Sequence, residues 1–239
     1  GHRQERALQV RGGVEGGEGT GEAQRSGSEE GEEAVRRGLR GVVEWIRASP
    51  LGRISLFNPR ESLCWRGKSV TDVYAELEGA IEGAGVDASA AVIREEAGGG
   101  DVGGREVVEV LRGGALMGAV GVVSAVVHSG VVDVDAADEG GKKALMCGAT
   151  GGSVGVVRVL MELGGDVNVQ VGGNQSTYLH FGARYGRRAM VVYLVKECGL
   201  GVDVKDADGY PPLMLAVRMD HVGCVDELLR MGADVQWRG

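Results

Sequence analysis

Leucine recurs at a fixed interval through most of this chain: Leu77, Leu111, Leu145, Leu179 and Leu213 are each 34 residues apart. Such a period constrains the fold more than any single motif, because it writes one supersecondary unit several times. Three and four residues after the leucines come small or medium residues: Gly114 and Ala115, Gly148 and Ala149, Gly182 and Ala183, Ala216 and Val217. These offsets put all three on one face of a short helix and let a neighbouring helix approach closely. Seven residues after the leucine stands a helix-ending residue, Gly118, Gly152, Gly186 and then Asp220, each of a type that takes the left-handed conformation. A second helix follows with apolar pairs four apart, as in Val122-Val123 with Val126-Val127 and Cys224-Val225 with Leu228-Leu229. Then comes a loop and an Asp-Val pair, at 101–102, 133–134, 166–167, 203–204 and 234–235. Each unit is helix, tight turn, helix, protruding loop. One unit cannot bury its own apolar stripes, but stacking buries them against the next, which predicts an all-α solenoid of helix-turn-helix units with protruding hairpin loops.

Composition narrows the rest. Only 4% of the chain is aromatic, with 44 glycines and 4 prolines, so the core is built from Val, Leu, Ala and Met. No Gly-X-Y period is present, which excludes collagen. A net charge of −8 lacks the basic footprint of a general nucleic-acid binder. Cys64, Cys147, Cys198 and Cys224 are scattered without CxxC or zinc spacing, which predicts reduced, mostly buried thiols in an intracellular protein, cytoplasmic or nuclear. Residues 113–132 carry no formal charge over twenty positions and contain Gly114-xxx-Gly118, a length that could span a bilayer. They also hold Ser124, His128 and Ser129 and lack an aromatic belt. The repeat accounts for them better, and no membrane span is expected.

Four segments are expected. Residues 1–32, a Gly- and Glu-rich tail with few large apolar residues, are expected to be disordered. Residues 33–68 form a helical or irregular N-terminal cap: Val35, Leu39, Val42, Val43 and Ile46 recur at helical spacing, and Pro50 ends the helix. Residues 69–104 are a degenerate unit opened by Ser69 and Asp72, a capping box with Asp in place of Glu. Residues 105–239 hold four full units.

At this point the sequence resembles the ankyrin-repeat family. "DADGYPPLMLAVRMDHVGCVDELLRMGADVQ" (206–236) resembles the family pattern over its whole length, "STYLHFGARYGRR" (176–188) carries its Thr-x-Leu-His core as Thr177, Leu179 and His180, and "GGDVN" (164–168) is similar to its inter-repeat loop. The usual Thr-Pro before the leucine is replaced by Lys143-Ala144, Thr177-Tyr178 and Pro211-Pro212, and the unit around Leu111 lacks that turn. Tetratricopeptide repeats share the period but place aromatic and Ala landmarks in both helices and have no Asp-Val hairpin. The resemblance implies structural roles for His180, bonded within the turn at its helix start, and for His221. Asn168, with Leu160 eight residues before it, is similar to an asparagine that oxygen-dependent hydroxylases modify in some ankyrin proteins.

No acid–base, nucleophile or metal set is visible in the sequence, so neither an enzyme nor a cofactor is expected. "GGGDVGG" (98–104) precedes a helix but has no Gly-Lys-Ser/Thr ending. The resemblance implies that partners are held by loop tips and by the exposed end of each first helix. Five and six residues after the leucines stand Leu116, Thr150, Arg184 and Arg218, then Met117, Gly151, Tyr185 and Met219; the loop tips add Glu139, Lys142, Asn174, Gln175, Asp208 and Tyr210. Thr150, Arg184, Tyr185, Arg218 and Met219, with those six tip residues, are the expected partner-binding set. Guanidinium groups beside Tyr and Met suit an interface, here one for an acidic or mixed-charge segment of another protein. The alternative is a regulatory or substrate-targeting arm of a larger multidomain enzyme.

Overall fold

The computed structural model describes residues 19–48, 67–100, 102–138 and 140–236. Its helices are α1 (Gly19–Ala48), α2 (Val70–Ala84), α3 (Val86–Gly98), α4 (Gly104–Met117), α5 (Val120–His128), α6 (Ala144–Gly151), α7 (Val154–Glu162), α8 (Tyr178–Arg184), α9 (Arg188–Lys196), α10 (Pro212–Arg218) and α11 (Val222–Arg230). Among the described residues strand structure is limited to isolated antiparallel bridges such as Ala137 with Lys143 and Val171 with Ser176, at the necks of two hairpins. The first helices of the units, α2, α4, α6, α8 and α10, pack in one row, and α3, α5, α7, α9 and α11 in a second. The described residues form the expected all-α solenoid of stacked helix pairs.

The leucine ruler lies on the buried seam, with Leu77, Leu111, Leu145 and Leu179 essentially inaccessible. The small residues three positions on set the spacing within a unit. A Cβ at Gly148 would stand 3.1 Å from Val157 Cγ2 and 3.2 Å from Val156 Cγ1, so α6 and α7 pack backbone against side chain there. The uncharged stretch 113–132 is divided between α4 and α5 by Gly118, whose φ of 83° ends α4. No helix among the described residues is long and apolar enough to cross a membrane.

The degenerate unit is a helix pair. Ser69 and Asp72 form the capping box at the start of α2, the Ser69 N–H donating to Asp72 Oδ2 (2.8 Å) and the Asp72 N–H to Ser69 Oγ (3.2 Å). Glu78 docks this unit onto the next by accepting the N–H groups of Gly121 and Val122, both at 2.8 Å, at the positive end of α5.

One expectation about the N-terminus changes. Residues 1–32 read as disordered, yet α1 begins at Gly19, so residues 19–32 belong to a helix and only 1–18 lie outside the described residues. The physical reason is continuity. Once Val35, Leu39, Val42, Val43 and Ile46 are buried, each further Glu, Gln, Ala or Arg added toward the N-terminus propagates a helix that is already nucleated. Helix α1 lies on α2 and α3 and covers the N-terminal end of the stack. It comes close enough that a Cβ at Gly38 would meet Leu77 Cα at 3.1 Å. Arg40 Nη2 pairs with Glu96 at 3.0 Å and Arg47 Nε with Glu106 at 3.3 Å. Such half-exposed pairs contribute little; the apolar stripe holds the cap. Leu39→Ala is therefore expected to lower the unfolding free energy by about 2–5 kcal/mol. Urea denaturation checks it, and a loss under about 1 kcal/mol would mean the cap is not seated as described.

Candidate functional site

The Asp-Val pairs make the loops turn. Asp133 Oδ1 accepts the N–H of Asp135 (2.7 Å), Asp166 Oδ1 that of Asn168 (2.8 Å), and Asp234 Oδ1 that of Gln236 (2.8 Å). Each is an Asx turn, the side chain replacing a backbone acceptor two residues on. Of the paired valines, Val102 and Val167 are buried, Val134 and Val204 half-buried, and Val235 exposed. Beyond the turn the tips join one another: the Ala207 N–H donates to the Asn174 carbonyl at 2.8 Å, and Gln170 Nε2 to the Lys205 carbonyl at 3.3 Å. Asp206, itself buried, orders the next tip by accepting the N–H groups of Asp208 (3.1 Å) and Tyr210 (2.8 Å).

The histidines brace this edge. His180 Nε2 donates to the Tyr210 carbonyl (3.0 Å), which leaves Nδ1 to accept the Thr177 N–H (3.1 Å) beside the Thr177 hydroxyl (2.7 Å). His221 Nε2 donates to the Arg184 carbonyl at 3.0 Å, tying the start of α11 to the end of α8. Both are structural contacts between adjacent units, in the roles the resemblance implied.

The expected partner-binding residues separate into three groups. Arg184 and Tyr185 are half-buried at the end of α8, and Arg218 and Met219 are exposed at the end of α10, which packs beside it. The Arg218 guanidinium stacks on the Tyr210 ring, 5.3 Å from its centroid, which joins a helix end to a loop tip. Burial pushes the Tyr185 phenol pKa up, and Arg184 pulls it back in part. Asn174 is half-buried, Gln175 is exposed with a left-handed φ of 50°, and Asp208 is exposed. Lys142 stands apart on the hairpin before α6, its N–H held by Asp138 Oδ1 at 2.8 Å. Glu139 lies outside the described residues. Thr150 is a correction: it is 1% exposed and its hydroxyl donates to the Met146 carbonyl (2.8 Å) within α6, so it offers no side chain to a partner. Its column position is covered from the next unit by Arg187, whose Nε donates to the Thr150 carbonyl at 2.6 Å.

Two features were missed in the sequence. Arg112, 2% exposed on its side chain, pairs with Glu109 Oε1 (2.7 Å) in its own helix and with Asp138 Oδ2 (2.9 Å) in the hairpin ahead. The only signal was an arginine directly after a ruler leucine, on the face that turns inward. Glu227 takes both Arg188, from the neighbouring unit, and Arg230 at 3.1 Å; a charged residue just before Leu228 was the hint. Among the described residues Cys147 and Cys224 are buried and Cys198 half-buried, all as free thiols. Burial pushes the Cys147 thiol up to about 11 against the pull of Arg112. Among these residues no three His, Cys, Asp or Glu side chains converge to hold a metal ion.

A repeated helix pair, an Asx-turned hairpin and a Thr-His bracket at the start of the first helix define an ankyrin-type repeat. Residues 166–238 match the family model described as ankyrin repeats (3 copies), and this part of the chain is an ankyrin-repeat array. Curated relatives are similar to shorter stretches. The E3 ubiquitin-protein ligase Ufd4 of Drosophila melanogaster is 37% identical over 87 residues, 36% of this chain and 3% of that protein. The E3 ubiquitin-protein ligase hecd-1 of Caenorhabditis elegans is 32% identical over 105 residues, 44% of this chain and 4% of that protein. The E3 ubiquitin-protein ligase KEG of Arabidopsis thaliana is 34% identical over 100 residues, 42% of this chain and 6% of that protein. The chain thus spans a small fraction of the length of these relatives. Ankyrin repeats are a non-catalytic interaction fold whose extended surface binds other proteins.

The buried His180 carries a pH dependence. Burial holds its pKa below the ordinary 6.5, opposed in part by the Tyr210 carbonyl and Asp206. The unfolded chain therefore takes up this proton first as pH falls. The stabilisation is complete above 6.5 and is lost as pH drops through that value toward the lower folded pKa. Thermal melts between about pH 8 and pH 5 are expected to show stability falling with acidity, and His180→Gln is expected to flatten that slope. An unchanged slope in the variant would refute the assignment.

Proposed function

We propose that the array binds a segment of a partner protein through the exposed ends of its first helices and its loop tips. The binding surface centres on Arg184, Tyr185, Arg218 and Met219, with Asn174, Gln175, Asp208 and Tyr210 at its rim and Lys142 farther along. The observation that carries this reading is Arg218 held over Tyr210 beside the end of α8. A guanidinium stacked on an aromatic ring is partly ordered before binding, a contact of about 0.5–1 kcal/mol at an exposed site, and an ordered donor loses less entropy on capture. Two arginines on adjacent units of a chain with net charge −8 make this edge locally basic. The partner segment is acidic or mixed in charge, not nucleic acid, and binding weakens with salt.

The relatives favour a second reading at a different level. The matching stretches of three E3 ubiquitin-protein ligases are small parts of long proteins. In this reading the array is a regulatory or substrate-targeting arm of such an enzyme, and what the surface captures is a substrate.

Arg184→Glu combined with Tyr185→Ala is expected to weaken partner capture by about tenfold or more, roughly 1.4 kcal/mol, with the melting temperature retained. Quantitative affinity capture checks this, and equal recovery by both proteins would dispose of the surface assignment. In the targeting reading, the proteins lost from the variant are enriched in ubiquitin-modified species; no enrichment leaves the binding module alone.

A further inference from the structure

The joint between the α8–α9 pair and the α10–α11 pair is closed by two imidazoles, and each ends on the backbone of a residue assigned above to the partner surface. His180 on α8 donates from Nε2 to the Tyr210 carbonyl, and His221 at the start of α11 donates from Nε2 to the Arg184 carbonyl, both at 3.0 Å. The two bonds cross the joint in opposite directions. One fixes the loop tip at Tyr210, and the other fixes the end of α8 that carries Arg184 and Tyr185. Arg218 is then placed by its stack on the Tyr210 ring.

This pairing belongs to one joint. One period earlier the same two positions hold Met146 and Arg187, and two periods earlier Arg112 and Ser153. None of those side chains changes charge near neutral pH, whereas histidine does.

The surroundings of His180 decide what a proton does there. The ring is 1% exposed. Its Nδ1 accepts the Thr177 N–H (3.1 Å) beside the Thr177 hydroxyl (2.7 Å). The Tyr210 and Val204 carbonyls and the Asp206 carboxylate face it from the next loop. A neutral ring satisfies both ends, accepting at Thr177 and donating at Tyr210. An imidazolium carries a proton on each nitrogen, so its Nδ1–H meets the Thr177 N–H, donor against donor. The new charge also competes for Asp206, whose Oδ1 holds the N–H of Tyr210 (2.8 Å) and that of Asp208 (3.1 Å). Tyr210 is thus gripped at its carbonyl by the ring and at its N–H by the carboxylate the charged ring attracts. Burial keeps the ring neutral until the pH falls below the ordinary 6.5.

We propose that His180 and His221 are positioning residues for the partner surface and that His180 is its proton switch, so that the surface is assembled around the neutral ring and disassembled in acid. The inference rests on the helix-end and loop-tip reading of that surface, but its test is read on the full chain with no partner present. The capture experiment decides the surface and the titration decides the histidines, so either can fail alone.

Nitrogen-15 NMR of the full chain between about pH 8 and pH 5 follows the imidazoles directly. At the upper end His180 is expected to be neutral with its proton on Nε2. As it takes up the second proton, the Tyr210 amide and the Arg218 Nε–H signals are expected to shift with the same midpoint. The Arg218–Tyr210 contact is expected to lose at least half its cross-peak intensity, while the signals of α6 hold steady. In His180→Gln the carboxamide can donate to the Tyr210 carbonyl and accept from Thr177 at every pH, so the contact is expected to persist in acid. His221→Ala is expected to displace the Arg184 and Tyr185 signals and to leave the Tyr210 titration in place. A contact that survives full protonation of His180 overturns the proposal. So does an equal loss in acid by His180→Gln, or a His180 that stays neutral while the contact is lost.

Discussion

Everything in this molecule depends on the burial of each helix pair's apolar stripe by a pair that belongs to the next unit. Two short helices offer too little enclosed volume to form a core of their own. Leu111, Leu145 and Leu179 are inaccessible because units lie on both sides of them. The close approach that makes this possible is set by glycines such as Gly148, where a single added methyl would press on Val156 and Val157. Side-chain reach then locks the joints: Glu78 onto α5, Arg94 onto the Ser129 carbonyl at 2.8 Å, Arg187 onto Thr150, His221 onto Arg184.

Much of this was legible in the sequence because it is periodic. The leucine ruler fixed the burial seam, Ser69 with Asp72 marked the start of α2, and the recurring Asp-Val pairs marked the loops, which Asp133, Asp166 and Asp234 turn. What was hidden is what departs from the period or depends on a neighbour. Thr150 shares its column with Arg184 and Arg218, yet it is buried, because its hydroxyl folds back on α6 and Arg187 covers its carbonyl. Arg112 carried no periodic signal, because the Asp138 it meets stands 26 positions on in another unit's hairpin. The helical start at Gly19 was missed because composition weighs a segment alone, whereas a helix anchored at Val35 extends into it at small cost.

The candidate interaction surface follows the same division. Regular positions are consumed by stacking, so the proposed binding surface uses positions where the repeat changes its chemistry: Arg184, Tyr185 and Arg218 along one edge. These lie close together on the last two units. The N-terminal end, under α1, is closed by the apolar stripe of an otherwise charged helix and rimmed with ion pairs.

The ion triad of Arg112, Glu109 and Asp138 carries a dynamic consequence. Asp138 belongs to a hairpin loop, but opening it leaves a guanidinium 2% accessible to solvent with Glu109 as its remaining carboxylate. Removing one partner of such a group costs about 3–5 kcal/mol, far more than a surface loop normally holds against fluctuation. The hairpin at 133–143 is therefore coupled to α4 through a buried charge, and its amide protons are expected to exchange more slowly than those of a loop held by backbone turns alone.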